Sequence, residues 1–584
     1  MNKQLYQLTG LAAASLFAGH ADALSFNVGD VSISSDNRLS IGGAVRMQQR
    51  DSEIIGIANG GTADSTNHDD GNLAFGRGTP VFMGSKLTSD LTVSYGKFGG
   101  YVRGSYIFDP VADKHDYFNA ANYGAGKSAP VSEFNERMRA VQGHLGQNGR
   151  LLDAYIYGSF DLADHNVGFK LGRQVINWGE STLIVNGINS FVAADQNKLR
   201  VPGFELAEVF TPMPAAWFSA GLPAGFSMEA FYQLQWQQTY PDAVGSFFST
   251  QDYAGYGATR ANIGFGRAPE NTPNTTVPRA PDVDPKNGGQ FGVKVEHVLP
   301  IFNDMDLALY AVQYHSRLPL LSGVSRQTFG APSELASYFE EFPENIRLYG
   351  ASFNTTLPWD LALQGEYSFK QGQPLQIDDV ELLLAGLGVP SQIDPVLGDT
   401  LGGKYIRGWR RYNVSQVNLG LTRIFGPQDW LGTDQVLMLL EAADMYVHNL
   451  PPSSVLRFDA PATDTPGDCT LEAAACTGGV TQNTAPYASR NSWGYRLLTR
   501  LTYNNVLPGL ALEPTFLFSH DVAGTSPTPI ADFIAGSMAA RAGIGAHFLS
   551  DWSGEVAYTN FFGGGRRNLM NDRDYAEFNI KYSF

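Results

Sequence analysis

The chain has 584 residues, a formal net charge of −17 and two cysteines. Phosphate binding needs clustered Lys and Arg, so the acidic balance excludes a nucleic-acid partner. Two Cys exclude a disulfide-stapled scaffold. Length alone would suggest three or four soluble domains of about 150 residues, an expectation that the periodicity along the chain overrules.

Residues 1–23, MNKQLYQLTGLAAASLFAGHADA, have the parts of a secretory signal peptide: Lys3, an apolar stretch from Leu8 to Ala18, and Ala21-Asp22-Ala23 as the cleavage motif. The mature chain is expected to run from Leu24 to Phe584 as one domain. No Cys follows the apolar stretch, so lipoprotein processing is not expected. Beyond it there is no run of 18 or more apolar residues and hence no spanning helix. A membrane protein of this kind has to be a closed barrel, whose backbone groups are all paired.

Alternation then recurs in segments of about ten residues. In RLSIGGAVRMQQ, Leu39, Ile41, Gly43, Val45 and Met47 share one face, and Ser40, Gly42, Ala44, Arg46 and Gln48 the other. FSMEAFYQLQWQQ sets Phe226, Met228, Ala230, Tyr232, Leu234 and Trp236 against Ser227, Glu229, Gln233, Gln235 and Gln237. LALQGEYSFK opposes Leu361, Leu363, Tyr367 and Phe369 to Gln364, Glu366 and Lys370; YRLLTRLTY opposes Tyr495, Leu497, Leu501 and Tyr503 to Arg496 and Arg500. A soluble sandwich alternates too, but here aromatics mark the strand ends (Tyr95, Phe98, Tyr106, Phe108, Tyr503, Phe516, Phe518, Phe548, Tyr558), as interfacial girdles require.

The connections alternate between short and long. SYGKF, DLADHN, LPAG, LPIFND, LPWD, FGPQDWLG, NNVLPG and SDWSG are the short turns, and between them lie the segments 51–80, 109–150, 176–206, 239–289, 317–345, 371–411, 448–492, 521–539 and 563–574. Short periplasmic turns and long extracellular loops are the asymmetry of outer-membrane barrels. Each short turn joins two strands, and one more at each end gives an all-β antiparallel transmembrane barrel of about 18 strands, with 16 to 18 as the range; Glu208 to Trp217 is a weak strand. Loop 371–411 contains a short helix within PLQIDDVELLLAGLGVP, placed either in the barrel mouth or across its rim. Loop 448–492 contains Cys469 and Cys476, expected to form one local disulfide.

Chemistry-bearing motifs are few. Gly126-Lys127-Ser128 resembles a phosphate loop, but Ala121 stands where its first glycine belongs and no strand-to-helix unit surrounds it. NHDDGN (Asn67 to Asn72) and PDVDPKNGG (Pro281 to Gly289) suit either divalent cations or, more simply, solvated acidic loops. No nucleophile elbow, zinc motif or metal-ligand spacing of His occurs. No catalytic residue, metal ligand or cofactor is assigned.

The densest polar stretch is Lys170 to Asn189 with Asn197 to Phe210, where Arg173, Asn177, Trp178, Glu180, Lys198, Arg200 and Glu205 crowd one strand end and the loop behind it. Strict alternation puts Arg173 on the lipid face. Either it snorkels or a bulge at Gly172 turns it inward to pair with Glu180 or Glu205 and pin the loop inside the pore. Pore constriction and purely structural pinning are both open readings. LGRQVINWGEST with NGIN, KLRVPGFELAEVF, YHSRLP and QGQPLQIDDVELLLAGL resemble a porin-like proteobacterial outer-membrane family catalogued as a domain of unknown function. The resemblance implies an outer-membrane barrel, and genomic neighbourhoods that often hold an inner-membrane exporter of the resistance-nodulation-division type and an outer-membrane lipoprotein. That family has no assigned catalytic residue to carry over.

The first functional reading is a monomeric channel or facilitator for small or apolar molecules, partly restricted by inward loops. Lumen-facing Glu229, Gln233, Glu366, Lys370, Arg496 and Arg500 would tune it, and their mixed signs imply weak ion selectivity. The alternative is an accessory component of lipid or hydrophobic-metabolite export, working with an inner-membrane pump and a lipoprotein. In the closing stretch EFNIKYSF, Phe578, Ile580, Tyr582 and Phe584 share the lipid face against outer-membrane lipid and lipopolysaccharide, and the strand closes the barrel on the first. It resembles the terminal aromatic signal read by the barrel-insertion machinery. Deleting Phe584 is therefore expected to lower assembly in cells more than it lowers refolding yield in detergent, both followed by heat-modifiable gel migration; equal losses would contradict the signal reading.

Overall fold

The computed structural model describes residues 24–114, 137–162, 165–270, 272–301, 303–473, 475–476 and 487–584. The signal-peptide residues and the Gly126-Lys127-Ser128 stretch lie outside these. Among the described residues, β1 Val31–Arg46, β2 Pro80–Tyr95, β3 Phe98–Phe108, β4 Gln147–Leu162, β5 His165–Gln174 and β6 Met213–Gly221 form the first third of one sheet. β7 Phe226–Gln233, β8 Gln290–Leu299, β9 Met305–Tyr314, β10 Ile346–Leu357, β11 Leu361–Gln376 and β12 Trp409–Phe425 follow. β13 Gln435–His448, β14 Asn491–Leu507, β15 Leu510–Ala523, β16 Ser537–Phe548, β17 Trp552–Gly563 and β18 Tyr575–Ser583 complete it.

Each strand pairs antiparallel with the next, and β18 returns to β1 with Ile41 opposite Ile580, so the sheet is a closed 18-stranded barrel. At the seam Asn37 N–H donates to the Phe584 carbonyl (2.8 Å) and Phe584 N–H to that of Asn37 (2.9 Å). A further strand that the periodicity did not reveal, Leu24–Val28, folds back on Val31–Ser35. It covers the stretch of the β1 edge that β18 is too short to reach, which leaves no long unpaired edge.

The outward face is apolar. Ile41 is 55% exposed and Ile580 53%, and Leu91, Ile156, Leu171, Phe218, Leu309, Leu419, Ile544 and Val556 are exposed with them. Aromatics ring the short-turn end: Tyr95 and Phe98, Phe226, Trp359, Trp430, Phe548 and Trp552 are all exposed. Among the described residues no helix is long and apolar enough to cross a membrane.

Two local expectations about strands fail. Glu208 to Trp217 is not one strand: Leu206–Val209 is a helical turn closed by a reciprocal cap between Glu205 and Glu208, and β6 starts at Met213. β7 stops at Gln233, so alternation no longer governs Trp236. Instead of facing outward it is buried, its indole N–H donating to the Ser316 carbonyl at 3.0 Å and its ring meeting Phe342.

The nine long connections L1 (47–79), L2 (109–146), L3 (175–212), L4 (234–289), L5 (315–345), L6 (377–408), L7 (449–490), L8 (524–536) and L9 (564–574) all leave the same end. L1, L4 and L7 depart six strands apart around the ring, yet they meet. Asn67 of L1 and Asn262 of L4 exchange hydrogen bonds of 2.8 and 2.7 Å, and His68 Nδ1 lies 3.6 Å from the Asp464 carboxylate of L7. Loops from three equally spaced points of a ring can touch only over its centre, so they cap the mouth. The predicted helix, α1 Asp379–Gly386, belongs to this cap: Leu382 and Ala385 pack on Ala254 and Val277 of L4 and on Leu321 and Tyr338 of L5. In the predicted acidic loop of L1, Asp69 and Asp70 are not solvated. Both are fully buried, Asp69 accepting the Gly56 N–H and Asp70 ion-paired with Arg137. Asp282 of L4 is exposed and pairs with Arg279. Cys469 and Cys476 are disulfide-bonded.

Candidate functional site

L3 turns into the barrel and crosses it. Its first half lies on the inner wall of β11, β12 and β13, where alternation brings Gln364, Glu366, Lys370, Gln416, Asn418 and Glu441 to the inward face. A loop inside a barrel has no strand to pair with, and each buried backbone group still needs a partner. Glu366 accepts the N–H groups of Glu180 (2.8 Å), Ser181 (3.1 Å) and Ile188 (2.9 Å). Glu441 accepts those of Thr182 (2.9 Å), Leu183 (2.8 Å) and Ile184 (3.0 Å), together with the Ser181 hydroxyl (2.7 Å). The loop carbonyls take donors from the same wall: Gln364 to Glu180 (2.9 Å), Asn418 to Ile184 (3.2 Å), Gln416 to Val185 (2.9 Å) and the Lys370 ammonium to Asn186.

This approach explains two glycines. A Cβ on Gly187 would lie 1.7 Å from Glu366 Oε1, and one on Gly179, which sits at φ +79°, 2.5 Å from Oε2. Any side chain would push the loop off the carboxylate.

Trp178 anchors the same segment. Its indole donates to Glu229 of β7 at 2.8 Å, and its ring packs against Phe191, Phe231 and Tyr310. Around it Ile176, Ile188, Met213, Val312 and Leu348 form an apolar cluster on the inner wall of β6 to β10. That stretch of inner face is dry because the loop covers it. Val185, by contrast, is 68% exposed, and Leu183 is half-buried.

The second half of L3 reaches the opposite wall. Glu208 pairs with Lys86 and the Thr88 hydroxyl of β2, and Glu205 with Arg38 of β1 and, at 3.8 Å, Lys581 of β18. Arg38 and Arg103 share Asp90. The polar residues predicted from the sequence therefore divide. Trp178, Glu180, Glu205, Glu229, Glu366 and Lys370 meet in the crossing, whereas Arg173 joins neither Glu180 nor Glu205, its Nε donating to the Leu152 carbonyl at 3.0 Å. Asn177 is exposed. Lys198 is buried against the carbonyl of His144, and burial lowers its amine to about 8. Arg200 pairs with Asp242 of L4, and Gln233 accepts from Arg317 of L5. Glu441, Asn418, Gln416 and Glu208 were missed, although a lone Glu on the alternating strand VLMLLEAADMYVH was a usable signal.

Along β14 to β18 many inward side chains are charged and partly covered, whereas Lys86, Thr88 and Asp90 of β2 are buried where L3 reaches them. Arg496 pairs with Asp521, Arg500 with Glu513, and Arg541 with Glu555 and Glu577, the Arg500 side chain being 43% exposed. Opposite signs sit on neighbouring strands throughout, so no stripe of a single sign forms.

Replacing Glu441 by Ala would leave the backbone N–H groups of Thr182, Leu183 and Ile184 unmatched, each worth about 1–3 kcal/mol when buried. The variant is expected to free residues 180–188, read as proteolytic cutting there in an otherwise heat-modifiable barrel, and Glu366→Ala to do the same. A second expectation concerns pH. Asp532 of L8, which accepts from Asn186 at 2.6 Å, is pushed up to about 7 by burial, against the opposing effects of Lys370 and Asn186. A carboxyl whose folded value is raised favours the folded contact at low pH, and this contribution is lost as pH rises from about 4 to about 7. Cutting in L3 is expected to be faster at pH 8 than at pH 5, and Asp532→Asn to flatten the difference.

No curated protein matches the sequence. Among solved structures the chain is similar to OccAB1 of Acinetobacter baumannii, at 10% identity over 97% of this chain and 98% of that one with a TM-score of 0.41. It is likewise similar to a BenF-like porin from Pseudomonas fluorescens Pf-5, at 9% identity over 94% and 98% with a TM-score of 0.39. A family model described as "Protein of unknown function (DUF1302)" matches residues 5–584, and with nearly its whole length inside that match the chain belongs to this family.

Proposed function

We propose that the protein is a restricted channel for small molecules in the outer membrane of a Gram-negative bacterium. The observation that carries this is the asymmetric lumen: L3 is fastened to one wall by Glu366 and Glu441, while paired charges on the other wall remain partly open to water. Val185 of L3 is apolar and exposed, so a solute would pass between this apolar loop edge and a zwitterionic wall. Small molecules with both a charged and an apolar part suit it best. Balanced signs favour neither anions nor cations strongly. The outward belt of Ile, Leu and Val with its aromatic ring supports insertion among outer-membrane lipid and lipopolysaccharide, and the closing strand supports delivery by the barrel-insertion machinery.

In planar bilayers the intact protein is expected to pass small, brief currents with a reversal potential near zero in a salt gradient. A variant lacking residues 178–188 is expected to conduct steadily and several times more. A loop-deleted barrel that inserts yet carries no current would overturn the channel reading.

A further inference from the structure

We propose that Asp378, Asp379 and Asp459 bind a divalent cation of the calcium kind, which locks L6 to L7 at the centre of the cap. The placement follows from the backbone. Ile377 forms an antiparallel bridge with Phe458, Asp378 N–H donates to the Arg457 carbonyl and Asp459 N–H to that of Gln376, both at 3.1 Å, so Asp378 and Asp459 stand diagonally on one face. One carboxylate oxygen from each of the three residues lies within 4.8 Å of the others. Oxygens that share a calcium ion at about 2.4 Å can be no more than about 4.8 Å apart.

A group of acids is not in itself a site, but Asp378 adds an independent observation. It is fully buried, and neither of its carboxylate oxygens has a hydrogen-bond partner of good geometry. The Thr463 hydroxyl beside it is directed to the Ala460 carbonyl at 2.8 Å and, at 3.4 Å, to Asp459. An ionised carboxylate buried in this way is strongly unfavourable unless a cation compensates it.

The neighbouring protein cations do not supply that compensation. Arg457 is held by Glu381 and Glu472. The other buried acidic group of the cap, Asp69, Asp70 and Glu270, differs here, because Arg137 pairs with Asp70 and Arg260 with Glu270. Around the Asp378 group the surroundings add oxygen and more negative charge: the Tyr253 hydroxyl of L4 bonds Asp379, and Asp464 stands beside both Asp379 and Asp459. A cavity of about 50 Å³ lined by Asp379, Asp464, Asp64 and Asn67 adjoins them, with room for coordinating water. Asp464 also faces His68 of L1. An ion here would thus hold L6 and L7 directly and brace L4 and L1 through Tyr253 and His68.

The test uses the full-length barrel in detergent with terbium as the probe, since Tyr253 lies close enough to sensitise its emission. Saturable emission that calcium displaces is expected, with the apparent terbium affinity falling at least about tenfold, the cost of losing an outer-shell partner alone, in Asp378→Asn and in Asp459→Asn, and persisting in Glu270→Gln. Calcium is also expected to slow proteolysis within L6 and L7 of the unaltered protein, and a chelator to restore it, a readout that needs no variant to fold and none of the channel interpretation. Absence of saturable emission from the unaltered protein, or equal emission from the double variant Asp378→Asn, Asp459→Asn, would overturn the site and leave the three carboxyls sharing protons.

Discussion

A segment of backbone threaded through the inside of a barrel has no neighbouring strand, and its N–H and C=O groups must be paired by side chains or remain unpaired away from bulk water. Everything distinctive about this molecule depends on how that requirement is met. Glu366 and Glu441 take six backbone N–H groups of L3 between them, and Gln364, Gln416, Asn418 and Lys370 supply donors to its carbonyls. Carboxylates suit the N–H groups because each oxygen accepts more than one bond and a charged acceptor strengthens all of them. Two residues on two strands thereby hold nine residues of irregular chain, and the glycines at 179 and 187 allow the approach.

This fastening divides the interior into unlike halves. Where L3 lies, inward residues such as Phe231, Tyr310 and Leu348 are apolar and dry, because the loop supplies them with Trp178, Ile188 and Phe191. Across the lumen the wall keeps Arg496, Arg500 and Arg541, each next to an acid on an adjoining strand. The pairing cancels net charge while leaving strong local dipoles, which orient a solute more than they select its sign. The cap closes the far end by a similar economy of contacts, with loops from three thirds of the ring meeting over the axis through Asn67, Asn262, His68 and Asp464.

Much of the site is legible in the sequence. Alternation on β11 places Glu366 and Lys370 on the inward face, and the crowding of Trp178, Glu180 and Glu205 marks L3 as the polar centre. The pairings were not legible, because alternation assigns a face to a residue but no partner across the lumen. Arg173 illustrates this: the residues proposed for it pair with Asn354, Arg38 and Lys581 instead. Glu441 stands with Asp444 in an otherwise apolar strand whose pattern names no partner for it, and alternation places Trp236 outward although the strand ends at Gln233. Asp69 and Asp70 read as solvated acids because their cation, Arg137, comes from a different loop.

The sequence by itself determined the barrel, its strand number and the side on which the long loops lie, because period two and turn chemistry are local properties that each segment carries alone. It also determined that the last strand ends on an outward aromatic edge. The crossing of L3, the division of the lumen and the closing of the cap were decided only in three dimensions. Those features rest on hydrogen bonds and ion pairs between residues far apart in the chain, such as Glu205 with Lys581 and His68 with Asp464, and nothing in local pattern encodes which buried donor will meet which acceptor.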